Sequence, residues 1–259
     1  MSISLLTVYL NGWHSCKDRG QQLMRNYLTF GSFDSRDFDV YISGEGTYNA
    51  PARVYNTVSV PGRNGDLLFD QKKFENIEVI YPAFIAGSNF KTNITAFRSA
   101  LMSASGYVRI TDTYHPDEYR LGYFAEAFEV EARSQNDGGT FEIMFRCKPQ
   151  RFLTSGETTS TYTANGSITN PTLFESRPLI KVTGYGTLTL GGEQIVIAQR
   201  FNYVNIDCDI QDCYYGNQNA NSVVTFNSNN FPVLKPGVNN FTKTANISKI
   251  EITPRWFRI

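Results

Sequence analysis

The sequence has no charge bias. Its 24 Lys and Arg balance 24 Asp and Glu, and charged residues make up only 19% of the 259 positions. Phosphate recognition needs a clustered excess of cations, so the balance argues against a nucleic-acid binder. Long apolar runs are missing too. The opening stretch Ile3–Leu10 is too short to span a bilayer, and it lacks the basic flank and small-residue cleavage site of a secretory signal. Sequons such as Asn165-Gly166-Ser167 and Asn240-Phe241-Thr242 therefore stand without a sign of export, and synthesis in the cytoplasm is the expectation. No Gly-x-Ser-x-Gly elbow, Walker loop, dinucleotide fingerprint or His-Glu-x-x-His pair occurs.

What remains of reactive chemistry is incomplete. Four cysteines, Cys16, Cys147, Cys208 and Cys213, are too few for a disulfide framework in a chain this long. Cys147 extends the apolar phase of Phe141, Ile143 and Phe145, as a small buried hydrophobe would. Cys208 and Cys213 have no nearby histidine to complete a zinc site. Asp207, Asp209 and Asp212 look like half of a calcium loop, without the turn glycine or the closing glutamate. Only two histidines exist; His14 lies in an irregular stretch, and His115-Pro116-Asp117 reads as a turn. The sequence thus calls for no catalytic residue, no cofactor, no metal and no disulfide.

Aromatics are what the chain has in quantity: 19 Phe and 15 Tyr, in a sequence 14% aromatic. That suits strands and contact surfaces. From Phe38 to about Leu153 period-two alternation dominates. Val40 and Ile42 share a phase, as do Val54, Val58 and Val60; Ile77, Val79 and Tyr81; Tyr119, Leu121 and Tyr123; Phe128, Val130 and Ala132; and Phe141, Ile143 and Phe145. One helix interrupts them. Phe90, Ile94, Phe97, Leu101 and Ala104 recur at helical spacing over about 90–105, with Ser88 or Asn89 to cap the start and Gly106 to end it. Asp137-Gly138-Gly139 predicts a turn. Residues 154–170 are rich in Ser, Thr, Gly and Asn and have no apolar period, which predicts a linker or a mobile leading strand. Beyond them, 171–259 shows short strands and frequent turn signals with no helix, the pattern of a β-sandwich.

The most specific local signal is Pro61-Gly62-Arg63-Asn64-Gly65-Asp66. Pro61-Gly62 suits the centre of a type II turn, and Asn64-Gly65 a second tight turn. Two turns in succession would hold Arg63 and Asp66 at an exposed corner.

From Arg25-Asn26-Tyr27-Leu28-Thr29-Phe30 onward the chain resembles the distal tail proteins of long-tailed, non-contractile bacteriophages. The resemblance runs through Val58-Ser59-Val60-Pro61-Gly62-Arg63-Asn64-Gly65-Asp66, the helix, the stretch Tyr107–Tyr123 and Cys147-Lys148-Pro149-Gln150-Arg151. It continues in Asn170-Pro171-Thr172, Pro178-Leu179-Ile180-Lys181-Val182, Phe231–Asn239 and the closing Ile250–Trp256. It covers about Met24 to the end and leaves 1–23 as an extension, so that Met24 competes with Met1 as the start.

The resemblance implies a mainly β chain. Residues 24–153 would form a tail-tube-like β-barrel or sandwich with one helix that closes a homohexameric ring. A linker at 154–170 would lead to a galectin-like β-sandwich at 171–259. It implies a hub between the tail tube protein and the tail-tip or tail-associated lysin protein. The outer sandwich would be free to meet a receptor-binding protein or host-surface glycan, and DNA would cross the lumen without specific binding. Pro61, Gly62, Arg63, Asn64, Gly65 and Asp66 are the candidate oligomer contacts. Tyr55, Tyr81 and Tyr119, read as outward-phase aromatics, suit such contacts. The galectin sugar-binding cluster of His, Asn, Arg and Trp is not recognisable. Two other classes compete. A carbohydrate-binding module acting in host-surface adhesion would need exposed aromatics in a groove, and a tail-associated glycosidase would need a carboxylate pair in a cleft.

Overall fold

A computed structural model describes residues 25–44, 46–124, 126, 129–133 and 137–259. The extension 1–23, with Cys16, His14 and the run Ile3–Leu10, lies outside the described residues, as does Phe128. The described chain is mainly β, with one α-helix.

The first body is an antiparallel sheet whose strands lie in the order Phe33–Asp34, Leu28–Phe30, Val108–Asp112, Glu118–Phe124, Gly138–Cys147, Ile77–Ala86 and Val40–Ile42. Its longest pairing runs over ten residues, from Gly138 opposite Ala86 to Cys147 opposite Ile77. Alternation decides the inner face. Ile77, Val79, Tyr81, Ala83 and Ile85 are buried, and so are Phe141, Ile143, Phe145 and Cys147. The helix Phe90–Ser103 lays Phe90, Phe97 and Leu101 on this core. Phe97 sits among Phe33, Phe38 and Phe141, with ring centroids 5.6–6.1 Å apart. Asn89 is the cap residue, but its side chain makes no capping bond; Asn93 instead ties the first turn to Asp39 at 2.7 Å. Gly106, with φ of +74°, follows the helix end.

A second core lies between two further sheets. One has the strand order Ser160–Tyr162, Ile247–Thr253, Leu179–Gly184, Tyr203–Asp207, Asp212–Tyr215 and Gln218–Asn219. The other has the order Gly166–Asn170, Gly237–Lys243, Gly186–Leu190, Glu193–Ile197 and Val224–Phe226. Ile180, Val182, Val204, Ile206, Ile250 and Ile252 of the first face Leu188, Leu190, Ile195, Ile197 and Phe241 of the second, all essentially without exposure.

Four expectations are corrected. Residues 154–170 are no linker. Ser160–Tyr162 pairs with Ile250–Ile252, and Gly166–Asn170 pairs with Gly237–Phe241, so this polar stretch supplies an edge strand to each sheet. Edge strands expose one side and need little apolar pattern, which hides them. Of Asp137-Gly138-Gly139 only Asp137 lies in the bend joining Glu131–Ala132 to the next strand. Gly138 and Gly139 open a strand where a β-carbon would lie 2.7 Å from the Ile85 carbonyl and 2.8 Å from that of Glu131. Glycine here permits close backbone approach. Tyr81 faces the core and donates to Asp112 at 2.7 Å, so it is no outward aromatic. In Glu118–Phe124 the buried positions are Arg120 and Gly122, the opposite phase to Tyr119, Leu121 and Tyr123.

The chain end returns to the first body. Phe257–Arg258 pairs with Arg151–Phe152, and Phe152–Leu153 of the same strand pairs with Glu118–Tyr119. Arg258 reaches Glu118 at 3.1 Å. Trp256 accepts from the Leu153 amide at 2.9 Å, and the Arg255 amide donates to Gly156 at 2.7 Å. A β-carbon on Gly156 would stand 2.3 Å from the Trp256 nitrogen, so only glycine lets the two segments cross.

Candidate assembly surfaces

The segment between Val40–Ile42 and Ile77–Ala86 leaves the first body as a hairpin. Among the described residues Arg53–Val58 and Leu67–Phe74 pair only with each other, forming a two-stranded ribbon. At its tip the Arg63 amide donates to the Val60 carbonyl at 3.2 Å around Pro61-Gly62, and Gly62 has a φ of +79°. This is type II turn geometry, which only a residue tolerant of positive φ completes without strain. Gly65 follows at +78°. Arg63 and Asp66 are exposed, and all six candidate contact residues, Pro61 to Asp66, lie at the tip.

Exposure on the arm is not confined to the tip. Pairing sets Asn56 and Val58 opposite Phe69 and Leu67 on one face, and Tyr55 and Thr57 opposite Asp70 and Leu68 on the other. Leu68 is 61% exposed, Phe69 56%, Val58 48% and Tyr55 45%. Both faces of the ribbon therefore carry uncovered apolar side chains. Of Val54, Val58 and Val60, expected to share a half-buried phase, Val54 and Val60 are half-buried but Val58 is exposed, because among the described residues no third strand covers the ribbon. Alternation reports pairing but not cover.

The arm's root is held more firmly. Arg53 makes a bidentate ion pair with Asp70, which also accepts from the Lys72 amide at 2.8 Å. Phe74 then meets Phe174 of the second sandwich edge-on at 6.1 Å, and Phe174 stacks on Phe257 at 5.7 Å. Phe257 touches Phe152 at 6.2 Å, and Phe152 stacks on Tyr119 at 5.2 Å. Five rings thus connect arm, second sandwich, closing strand and first sheet. Sequence reasoning missed this chain, because its members are far apart in sequence and share no period.

The groups that resembled chemical sites are occupied structurally. Asp207 is buried and takes both Arg255 nitrogens at 2.6 and 2.9 Å, together with the amides of Asp209 and Ile210. Burial works to raise its pKa, but the guanidinium and the amides outweigh that and hold it below the usual carboxylate value. Asp212 accepts from Asn221 at 2.7 Å and Asp209 is exposed, so the three carboxylates are not gathered into a cation site. Cys147, Cys208 and Cys213 are buried free thiols, and burial pushes their pKa values up, to about 11 for Cys147 and about 12 for Cys213. His115 Nδ1 lies 3.2 Å from Asp112, packed on Tyr48. Asp112 also takes the Tyr81 hydroxyl, so the pair pins a turn inside the first body. Among the described residues no group of three His, Cys, Asp or Glu side chains is placed to hold a metal.

No family profile matches the chain, and no curated protein is similar to it in sequence. Solved structures are similar in shape. The SPP1 Dit (gp 19.1) protein, described as a paradigm of the hub adsorption apparatus in phages infecting Gram-positive hosts, superposes with a TM-score of 0.70. The two share 16% identity, and the match covers 90% of this chain and 99% of that one. The fold is that of a phage hub protein. A chain of the phage P2 baseplate in its activated conformation with Ca matches with a TM-score of 0.50 and 13% identity, over 89% of this chain and 97% of that one. The likeness to the SPP1 hub protein takes in both cores together, so the shared object is the whole two-core arrangement and not a common sandwich alone.

Proposed function

We propose that this chain is a structural, non-catalytic subunit of a bacteriophage tail tip, located in the virion tail and assembled in the host cytoplasm. Its first body closes a homohexameric ring. One side of the ring meets the tail tube protein and the other the tail-tip or tail-associated lysin protein. The second sandwich reaches out toward a receptor-binding protein or a host-surface glycan, and DNA passes through the lumen without specific contacts. The hub fold supports the setting, and the arm is the observation that carries the assembly reading. An isolated two-stranded ribbon is marginal in water, and this one exposes Leu68 and Phe69 on opposite faces. None of the described residues covers these faces, and neighbouring copies on both sides would do so. A ring built from head-to-tail contacts offers that arrangement, since each subunit presents two different complementary patches.

In this reading the Pro61–Asp66 tip is one such patch. Its turns fix Arg63 and Asp66 before docking, so little entropy is lost on contact. Native mass spectrometry of the full chain tests the reading. Wild type should give hexamers, and Leu68→Ser with Phe69→Ser should give monomers of unchanged circular dichroism. Hexamers that survive the double substitution would remove the arm from assembly.

A further inference from the structure

The arm, the first body and the second sandwich meet around one cleft of about 680 Å³. Its rim is basic: Lys72 and Lys73 come from the arm, Lys148 from the turn after Gly138–Cys147, and Arg177 from the second sandwich. Arg53 and Arg255 also reach it but are committed to Asp70 and Asp207. Two acidic side chains, Glu175 and Asp209, line the cleft against the four remaining cations, Lys72, Lys73, Lys148 and Arg177, whereas the chain as a whole is neutral. Lys72, Lys73 and Arg177 form no ion pair among the described residues and are exposed. Behind the rim stands the aromatic chain Phe74, Phe174, Phe257 and Phe152.

Cations gathered around a concave, low-dielectric wall raise the local potential and draw an anion. The shape selects among anions. A hollow of this size holds a few side chains and is bounded on three sides. A nucleic-acid strand needs a longer groove that tracks its backbone. A neutral glycan would use the rings and leave the cations unsatisfied. Carboxylates beside an apolar side chain use both features.

We propose that this cleft seats a carboxylate-bearing peptide segment of a partner protein, with its acidic side chains on Lys72, Lys73 and Arg177 and an apolar one against Phe74 and Phe174. Such a segment bridges arm and second sandwich and so fixes the angle of the arm. The inference rests on the tail-tip reading only in taking the partner to be another component of the assembly.

The test uses the full chain and a dye-labelled peptide of glutamates around one phenylalanine, followed by fluorescence anisotropy. Saturable binding is expected at about 50 mM salt, weakening markedly by about 300 mM as screening shortens. Lys72→Glu with Lys73→Glu, and separately Arg177→Glu, should each weaken it roughly tenfold or more, while Lys91→Glu on the helix should not. Lys72→Gln with Lys73→Gln serves if the charge reversal fails to fold. Absence of saturable binding, binding untouched by the reversals, or equal displacement by inorganic phosphate or a thymidine oligonucleotide would overturn the proposal. Native mass spectra of the same samples report the ring separately. Intact hexamers without peptide binding would sink this site alone.

Discussion

At Gly122 a β-carbon would stand 2.6 Å from the Cys147 sulfur and 2.8 Å from a methyl of Ile110. Its neighbour two positions back, Arg120, lies beneath the same sheet, 5% exposed, with one nitrogen 3.3 Å from the Asn49 side chain. An inner face made of Arg and Gly reverses the apparent phase of Tyr119, Leu121 and Tyr123, so alternation alone read this strand inside out. Gly122→Ala should cost about 1–3 kcal/mol by overpacking, measured by urea unfolding. Adding Cys147→Ala removes the nearest atom and should return part of that loss; if it returns nothing, the sulfur is not the obstacle. Asp207 makes a second prediction. Its folded pKa is depressed, so its stabilisation is present above the unfolded value of about 4 and is lost as pH falls through the folded value. Arg255→Gln leaves a buried carboxylate without its guanidinium, which costs about 3–5 kcal/mol. Removing the guanidinium lifts the folded pKa toward or above the unfolded one, so the stability gap between wild type and variant should be widest near pH 7 and narrow as pH falls below about 4. Melting temperatures from pH 7 to pH 3 measure this, and parallel curves would refute it.

At the scale of elements, what could be read in advance depended on how each element is covered. The helix was legible because Phe90, Phe97 and Leu101 keep one face on the core. Ile77–Ala86 and Gly138–Cys147 were legible because one face is buried and the other is not. Ser160–Tyr162 and Gly166–Asn170 were not, since polar edge strands are held by backbone pairing that leaves no periodic trace. The arm was half legible. Pro61-Gly62 announced its turn, but that its strands stand alone is a fact of topology. Gly62 and Gly65 have open space around them, so Gly62→Val with Gly65→Val introduces only backbone strain, about 1–2 kcal/mol at each site. Circular dichroism should therefore stay native while hexamers are lost. Arg63→Ala, a rim charge, should cost only about 1 kcal/mol per interface. A folded double-glycine variant that still forms complete hexamers would exclude the tip from the contact.

The whole molecule joins two cores by a crossing at Gly156 and a closing strand that returns to the first sheet, with five aromatic rings linking both to the arm. This arrangement gives a firm root to a ribbon whose apolar faces are left uncovered by the described residues. Ring closure therefore depends on other copies supplying that cover. Class averages of the purified full chain by negative-stain microscopy, taken beside native mass spectra, test this most directly. Six-fold rings with a mass six times that of the 29.2 kDa chain are expected. A monodisperse monomer, or a closed assembly of another symmetry, would contradict it.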